Sequence, residues 1–257
     1  MAVVVVTGAS SGIGRAAAIL WGKRGAKLVL SARNEVALAR VVREVAEAGG
    51  QAVAEAGDVT REEHRVALVE RAKRTFGGLD VLVNNAGRGY YAPVREIELE
   101  ELESLFALNV NAPLRLSQLA LPLLEKSRGT VVMVSSIAGL VVAPRMGAFA
   151  ASKFALEALA VALRAECAAS GVRVLVVRPG PVDTPFRENS IARGGEAGVR
   201  PPGAKVQSPE EVARQMVNAV ERGRAVVETS LFVRGAAMMA RVAPGVYRRV
   251  AARMAAK

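Results

Sequence analysis

Val3-Val4-Val5-Val6-Thr7-Gly8-Ala9-Ser10-Ser11-Gly12-Ile13-Gly14 reads as a strand, a glycine turn and the opening of a helix. The β-branched run favours an extended chain, and residues 15–22 carry helical character. Glycines let the backbone turn sharply and come close to a pyrophosphate, while the helix N-terminus beyond offers free N–H groups and a favourable dipole. A dinucleotide is the natural ligand. The spacing G-x-x-x-G-x-G differs from the commoner G-x-G-x-x-G, and no Gly-Lys-Ser/Thr follows to make a triphosphate loop. A purely structural turn in another α/β protein is the plain alternative on this motif alone.

Outward from that turn, strands and helices alternate. A second strand over 27–30 ends at Ser31-Ala32-Arg33-Asn34, where an NAD-preferring fold places an acid for the ribose 2′-hydroxyl. No acid stands there. Arg33 is suited to a 2′-phosphate, with Ser10, Ser11 or Asn34 as further donors, so NADP(H) is expected over NAD(H); a surface arginine at a strand end is the alternative. Asn34 is expected to cap a helix to about residue 48. A third strand over 51–55 leads to Asp58-Val59, and Thr60-Arg61-Glu62-Glu63 fits a capping box opening a helix to about 76. His64, the only histidine, is expected exposed in that helix's first turn, and alone it builds no metal site.

A fourth strand over 79–83 is closed by Asn84-Asn85-Ala86-Gly87. Alternation of this length implies crossover connections, a parallel doubly wound α/β sheet of Rossmann-like type and about seven strands. Such sheets bind ligands at the carboxyl ends of their strands, where Gly8, Arg33, Asp58 and Asn85 all fall. Residues 96–126 read as a long helical tract containing Asn109, with Pro113 and Pro122 marking kinks or a break. Asn109 amid apolar neighbours either caps a helix irregularity or holds a water. The fifth strand, 130–134, delivers Ser135-Ser136. A helix over 147–169 and a strand over 172–177 follow, leaving through Arg178-Pro179-Gly180-Pro181-Val182-Asp183-Thr184. Residues 185–207 read as a mobile loop. Ser208-Pro209-Glu210-Glu211 restarts a capped helix, and 225–228 fit a seventh strand.

The 257 residues are 51% hydrophobic and 23% charged, enough apolar material for one large core. A single domain is expected, residues 1–230 forming the dinucleotide-binding unit and 231–257 a basic helical extension. That extension holds six basic residues and no acid; Arg234, Arg241 and Arg248 recur every seven positions, broken by Pro244-Gly245. It reads as a solvated helix or a subunit contact rather than a stable membrane anchor. The net charge of +11 is spread along the chain without a nucleic-acid motif, so no nucleic-acid partner is expected. Cys167 is the sole cysteine, which excludes an internal disulfide and fits a reducing, cytoplasmic compartment. The apolar start lacks the basic leader of a secretory signal.

With these positions in hand the chain resembles the short-chain dehydrogenase/reductase family, in its form of about 250 residues, from Val3 through at least Glu228. The resemblance rests on Thr7-Gly8-x-x-x-Gly12-x-Gly14, Asp58, Asn84-Asn85-Ala86-Gly87, Asn109, Ser136, Lys153 and Pro179-Gly180, all in order. It implies that the turn through Gly8, Ser10, Ser11, Gly12, Ile13 and Gly14 binds the cofactor pyrophosphate. Asp58 and Val59 lie at the adenine, and Asn85, Ala86 and Gly87 beside the ribose. The turn through Pro179, Gly180 and Val182 meets the nicotinamide carboxamide with Thr184. The implied reaction is hydride transfer between nicotinamide and a ketone, an aldehyde or a secondary alcohol. Phe186, Ile191, Leu140, Val141 and Val142 imply a small apolar substrate. The family also implies a homodimer or homotetramer.

In the family a tyrosine four residues before the lysine gives the proton, Ser136 holds the substrate oxygen, Lys153 holds the ribose and lowers the tyrosine pKa, and Asn109 supports a water relay. In this sequence that position is Phe149. Phenylalanine keeps the ring and has no proton to give, so the chemical step is expected to suffer while fold and cofactor binding survive. Three explanations stand: an introduced change in an active enzyme, a natural non-catalytic NADP(H)-binding regulatory or scaffold protein, or an enzyme with another donor. Tyr90 and Tyr91 border the expected pocket, and nothing in the sequence sets either hydroxyl beside Lys153.

Overall fold

The computed structural model describes residues 1–195, 205–243 and 245. Strand β1 (Val3–Thr7) enters helix α1 (Gly12–Lys23), followed by β2 (Lys27–Ala32), α2 (Glu35–Glu47), β3 (Gln51–Ala56), α3 (Glu62–Phe76) and β4 (Val81–Asn84). A two-residue strand β5 (Tyr90–Tyr91) precedes α4 (Leu99–Phe106) and α5 (Ala112–Ser127). Then come β6 (Thr130–Val134), α6 (Gly147–Glu166), β7 (Arg173–Arg178), β8 (Ile191–Ala192), α7 (Pro209–Glu221), β9 (Val226–Glu228) and α8 (Leu231–Val242).

Seven strands form one parallel sheet in the order β3-β2-β1-β4-β6-β7-β9. The first strand explains the layering. Successive side chains of a strand face opposite ways, so Val4 and Val6 join the core shared with α1, α2 and α7, whereas Val3 and Val5 join that of α3, α5 and α6. All four valines are at most 6% exposed, each contributing about 1.5–3 kcal/mol of burial. A strand apolar on both faces is thereby suited only to the middle of a three-layer sandwich. The strand order reverses between β1 and β4, and the gap at their carboxyl ends is the place where such sheets take ligands.

Several local expectations need correction. In the tract over 96–126 the irregularity falls before the prolines: a 3₁₀ turn (Val94–Glu96), α4, a π-helical turn (Ala107–Asn111) and α5 share it, with Pro113 in the first turn of α5 and Pro122 inside that helix. The capping box at Thr60 does not form. Arg61 is the N-cap residue of α3 and makes no side-chain cap bond, because Asp58 Oδ1 has taken both the Thr60 N–H (2.9 Å) and the Thr60 hydroxyl (2.8 Å). The box at Ser208 does form, with Glu211 returning to the cap N–H. Within 185–207 the chain is not wholly irregular, since Ile191 and Ala192 pair in parallel with Tyr90 and Tyr91. Residues 196–204 of that segment lie outside the described residues, as do Pro244 and 246–257 of the basic extension, Arg248 among them. Among the described residues no helix is long and apolar enough to cross a membrane.

Candidate active site

The glycine turn is built for close approach. Gly8 has φ +63°, and a Cβ there would stand 2.9 Å from Asn85 Nδ2. Gly14 has less room still: its Cβ would lie 2.3 Å from the Gly8 carbonyl oxygen. Gly12, φ +52°, faces Thr184 with 2.9 Å between a Cβ and the threonine methyl, so the turns at the ends of β1 and β7 meet across the site. Ser11 is the N-cap of α1 yet makes no side-chain cap bond, leaving the first N–H groups of the helix free to receive an anion.

Asn85 braces this edge. Its Nδ2 donates to the carbonyls of Thr7 (2.9 Å) and Gly8 (3.2 Å), while the Thr7 hydroxyl accepts the N–H groups of Asn85 and Ala86, both at 3.0 Å. At the end of β2 Arg33 is exposed, and its guanidinium makes no hydrogen bond or ion pair among the described residues, its charge acting on nearby Asp58. Asn34 caps α2 as expected, its Oδ1 accepting from Ala37 N at 2.9 Å. Arg15, nearer the turn, is occupied by a bidentate pair with Glu44. Burial works to raise the Asp58 pKa, but the Thr60 donors, helped by Arg33 and His64, hold it below the ordinary carboxylate value. Val59 is buried beside it.

His64 corrects another expectation. It is half-buried, its ring against Gly57 and its Nε2 2.8 Å from the Ser31 hydroxyl, and burial lowers its pKa against the charges of Glu55 and Asp58. The helix pattern placed it outward; the close approach of β3 and β2 turned that flank into an interior.

Around α6 the site residues converge. Lys153 is 5% exposed, and its Nζ donates to Val134 O at 3.0 Å. Burial lowers its pKa to about 8, with Glu157 pulling upward. Asn109 Oδ1 and Lys153 Nζ converge on Gly87, 3.1 and 3.7 Å from where a Cβ would stand. Asn109 lies in the middle of the π turn, and its side chain is committed: Oδ1 accepts from Arg88 N (3.1 Å), and Nδ2 donates to Arg88 O (2.9 Å) and the Ser152 hydroxyl (3.0 Å). Ser152 in turn donates to Phe149 O. Asn109 thus sits at a helix irregularity. Ser136 caps the 3₁₀ turn (Ile137–Gly139), its Oγ accepting from Ala138 N at 3.1 Å.

Phe149 is 4% exposed on the face of α6 that carries Lys153. Its ring lies 6.0 Å from that of Tyr91, 5.7 Å from that of Phe186 and 5.9 Å from Lys153 Nζ. Tyr90 is fully buried and its hydroxyl accepts from Glu98 N, which makes it structural. The Tyr91 hydroxyl has no partner among the described residues, and burial raises its pKa against the nearby charge of Arg187. Pro179 is buried, its carbonyl accepting from Ile137 N, while Gly180 packs under Val233 and Val182 bridges Gln207. Ser152, Thr7, Glu157 and Arg178 make contacts at the site although the sequence assigns none of them a role there. Only Thr7 and Ser152 carried a signal, being small hydroxyls inside the motifs themselves.

A parallel sheet whose switch point holds a glycine cradle, with a buried lysine and a serine on the next strand and helix, defines a dinucleotide-binding oxidoreductase fold. The sequence profile described as short chain dehydrogenase matches residues 2–193, and the chain belongs to that family. An uncharacterized oxidoreductase of Staphylococcus aureus is 33% identical over 233 residues, covering 90% of this chain and 96% of the relative. Another from Staphylococcus saprophyticus is 35% identical over 223 residues, 86% and 91% of the two chains. Among solved structures, a short-chain dehydrogenase from Sphingobium yanoikuyae in complex with NADPH matches with a TM-score of 0.78 at 29% identity, covering 90% and 89%. An alcohol dehydrogenase from the archaeon Thermococcus sibiricus complexed with 5-hydroxy-NADP matches at 0.76 and 28%, covering 90% and 93%.

Proposed function

We propose that the chain is an NADP(H)-dependent oxidoreductase acting between a small apolar ketone or aldehyde and the corresponding alcohol, with its chemical step impaired at Phe149. The observation that carries this reading is the buried Phe149 ring beside Lys153, the phenyl of a proton donor without its hydroxyl. Support for the cofactor comes from the cradle at Gly8, Gly12 and Gly14, which a single Cβ would fill, and from Arg33, Ser10 and Ser11, whose side chains make no hydrogen bond among the described residues. Both solved structures described above carry an NADP-type ligand. The residues fit the group.

What the nicotinamide supplies when bound is a hydride to or from the substrate carbon. Negative charge then grows on the carbonyl oxygen, and the Ser136 hydroxyl donates to it. The Lys153 ammonium would hold the ribose hydroxyls, the glycine turn and the α1 N-terminus would hold the pyrophosphate, and Thr184 would hold the carboxamide. Phe149, Tyr91 and Phe186 exclude water from the oxygen. No proton leaves Phe149, and a missing general acid costs about 10²–10⁴ in rate. The second reading, a non-catalytic NADP(H)-binding regulator or scaffold on this fold, is favoured by the same Phe149. A homodimer or homotetramer is the expected assembly, and Phe154 and Val161, exposed two turns apart on α6, support it.

Phe149→Tyr assayed for NADPH oxidation with a panel of ketones and aldehydes separates the readings. Turnover should rise about 10²–10⁴-fold over the parent. A variant that binds NADPH and reduces nothing in the panel favours the regulator. A parent already as fast as its variant shows that the proton comes from elsewhere, and Tyr91→Phe then tests the one phenol against the Phe149 ring.

A further inference from the structure

We propose that Glu157 and Arg178 are positioning residues, an ion pair that holds α6 at Lys153 and the Ser136 and Pro179-Gly180 turns in one arrangement and keeps the Lys153 amine from pairing with Glu157. The proposal rests on the reading of Lys153 as a cofactor-binding residue. Glu157 lies four residues beyond Lys153 and so on the same face of α6. Its carboxylate nevertheless forms no ion pair with the lysine. Both oxygens belong to Arg178, Nε donating to Oε1 at 3.0 Å and Nη2 to Oε2 at 2.8 Å. The free edge of the guanidinium, Nη1, donates to Glu228 of β9 at 3.2 Å. The Arg178 and Glu157 side chains are only 8% and 10% exposed.

This pair lies beside two turns of the expected site. Gly139 closes the 3₁₀ turn that Ser136 caps, and a Cβ on it would stand 2.9 Å from Glu157 Cγ and 2.8 Å from Ser135 Oγ. Arg178 is the last residue of β7, and the next residue, Pro179, accepts Ile137 N at 2.9 Å. A bidentate guanidinium-carboxylate pair fixes orientation as well as distance. Two apolar residues would fill the space with less desolvation, so geometry rather than stability is what the charges supply.

Charge balance follows from the same contacts. The groups recorded around the Lys153 amine are Glu157 on its own helix, the Val134 carbonyl at the end of β6 that accepts from it, the Asn109 amide from the π turn and the Phe149 ring. Behind Glu157 stand Arg178 of β7, Glu228 of β9 and Arg164, whose guanidinium is bonded to Val174 O and Ala225 O. Burial lowers the Lys153 pKa and Glu157 raises it. A Glu157 released by Arg178 would pair with the ammonium and draw it away from the ribose.

The test is NADPH affinity of the full chain, followed by cofactor fluorescence from about pH 6 to 10, the range spanning the lysine's titration. Affinity should fall as Lys153 loses its proton. Glu157→Gln removes the carboxylate and should move the midpoint of that fall down by about half a pH unit or more; Arg178→Met should move it up by as much. The double variant should return towards the parent. A purely structural pair would weaken binding at every pH with the midpoint in place, or move both variants the same way, and either result overturns the proposal. Should Arg178→Met fail to fold, an unmoved midpoint in Glu157→Gln does the same. A chain that binds NADPH yet reduces no carbonyl as Phe149→Tyr loses the oxidoreductase reading and leaves this test intact; a chain that binds no NADPH loses both.

Discussion

Arg33 stands exposed at the end of β2 while Arg15, closer to the glycine turn, is locked to Glu44, so one guanidinium of the two is free to meet a 2′-phosphate. Hydrogen bonds to charged groups are worth about 1.5–3 kcal/mol. Arg33→Ala should therefore weaken NADPH binding about 10–100-fold and leave NADH binding nearly unchanged, as measured by fluorescence titration of both. Equal losses for the two cofactors, or tighter NADH binding in the parent, would remove the role given to Arg33. At this scale the motif residues were legible because glycine, serine and lysine at set spacing have few other reasons to occur together. Glu157 and Arg178 were not. Charged residues on a helix and at a strand end read as solvated, and their burial depends on which strand lies beside β7.

Helix starts show the same division. Ser208 was legible as a cap and is one, since its box is closed by Glu211 in the adjacent chain and competes with nothing. Ser208→Ala should lower unfolding free energy by about 1 kcal/mol in denaturant titration, with the slope unchanged. Thr60 failed as a cap although its local sequence was equally good, because Asp58 offered both of its donors a charged acceptor two residues away. The π turn at Asn109 was visible only as an asparagine out of place. Its cause is tertiary: the amide bonds the Arg88 backbone and Ser152, from a loop and a helix that local pattern does not bring together.

At the scale of the whole molecule, part of the acid sensitivity belongs to the one histidine. Burial lowers the His64 pKa in the folded chain below its ordinary value of 6.5, so the unfolded chain binds the proton more readily. Stability is then full above about pH 6.5 and is lost as the pH falls through the folded value. Asp58, also lowered, contributes in the same direction at more acid pH. Chemical denaturation between about pH 7 and 5 should show stability declining on acidification, and His64→Gln should flatten that decline. An unchanged slope would mean that the His64 pKa does not differ between the folded and unfolded chain.

Pattern alone determined the parallel sheet, its layers and the glycine cradle, because valines apolar on both faces and glycines at fixed spacing act through the local backbone. It also located Phe149 four residues before Lys153. Only the tertiary structure decided which polar groups are buried and with whom: His64 against Ser31, Asn109 against Ser152, and Glu157 in the fork of Arg178 one turn beyond the lysine. The reason is physical. A residue's periodicity depends on its neighbours in sequence, whereas its desolvation and its partners depend on segments that the fold brings in from elsewhere.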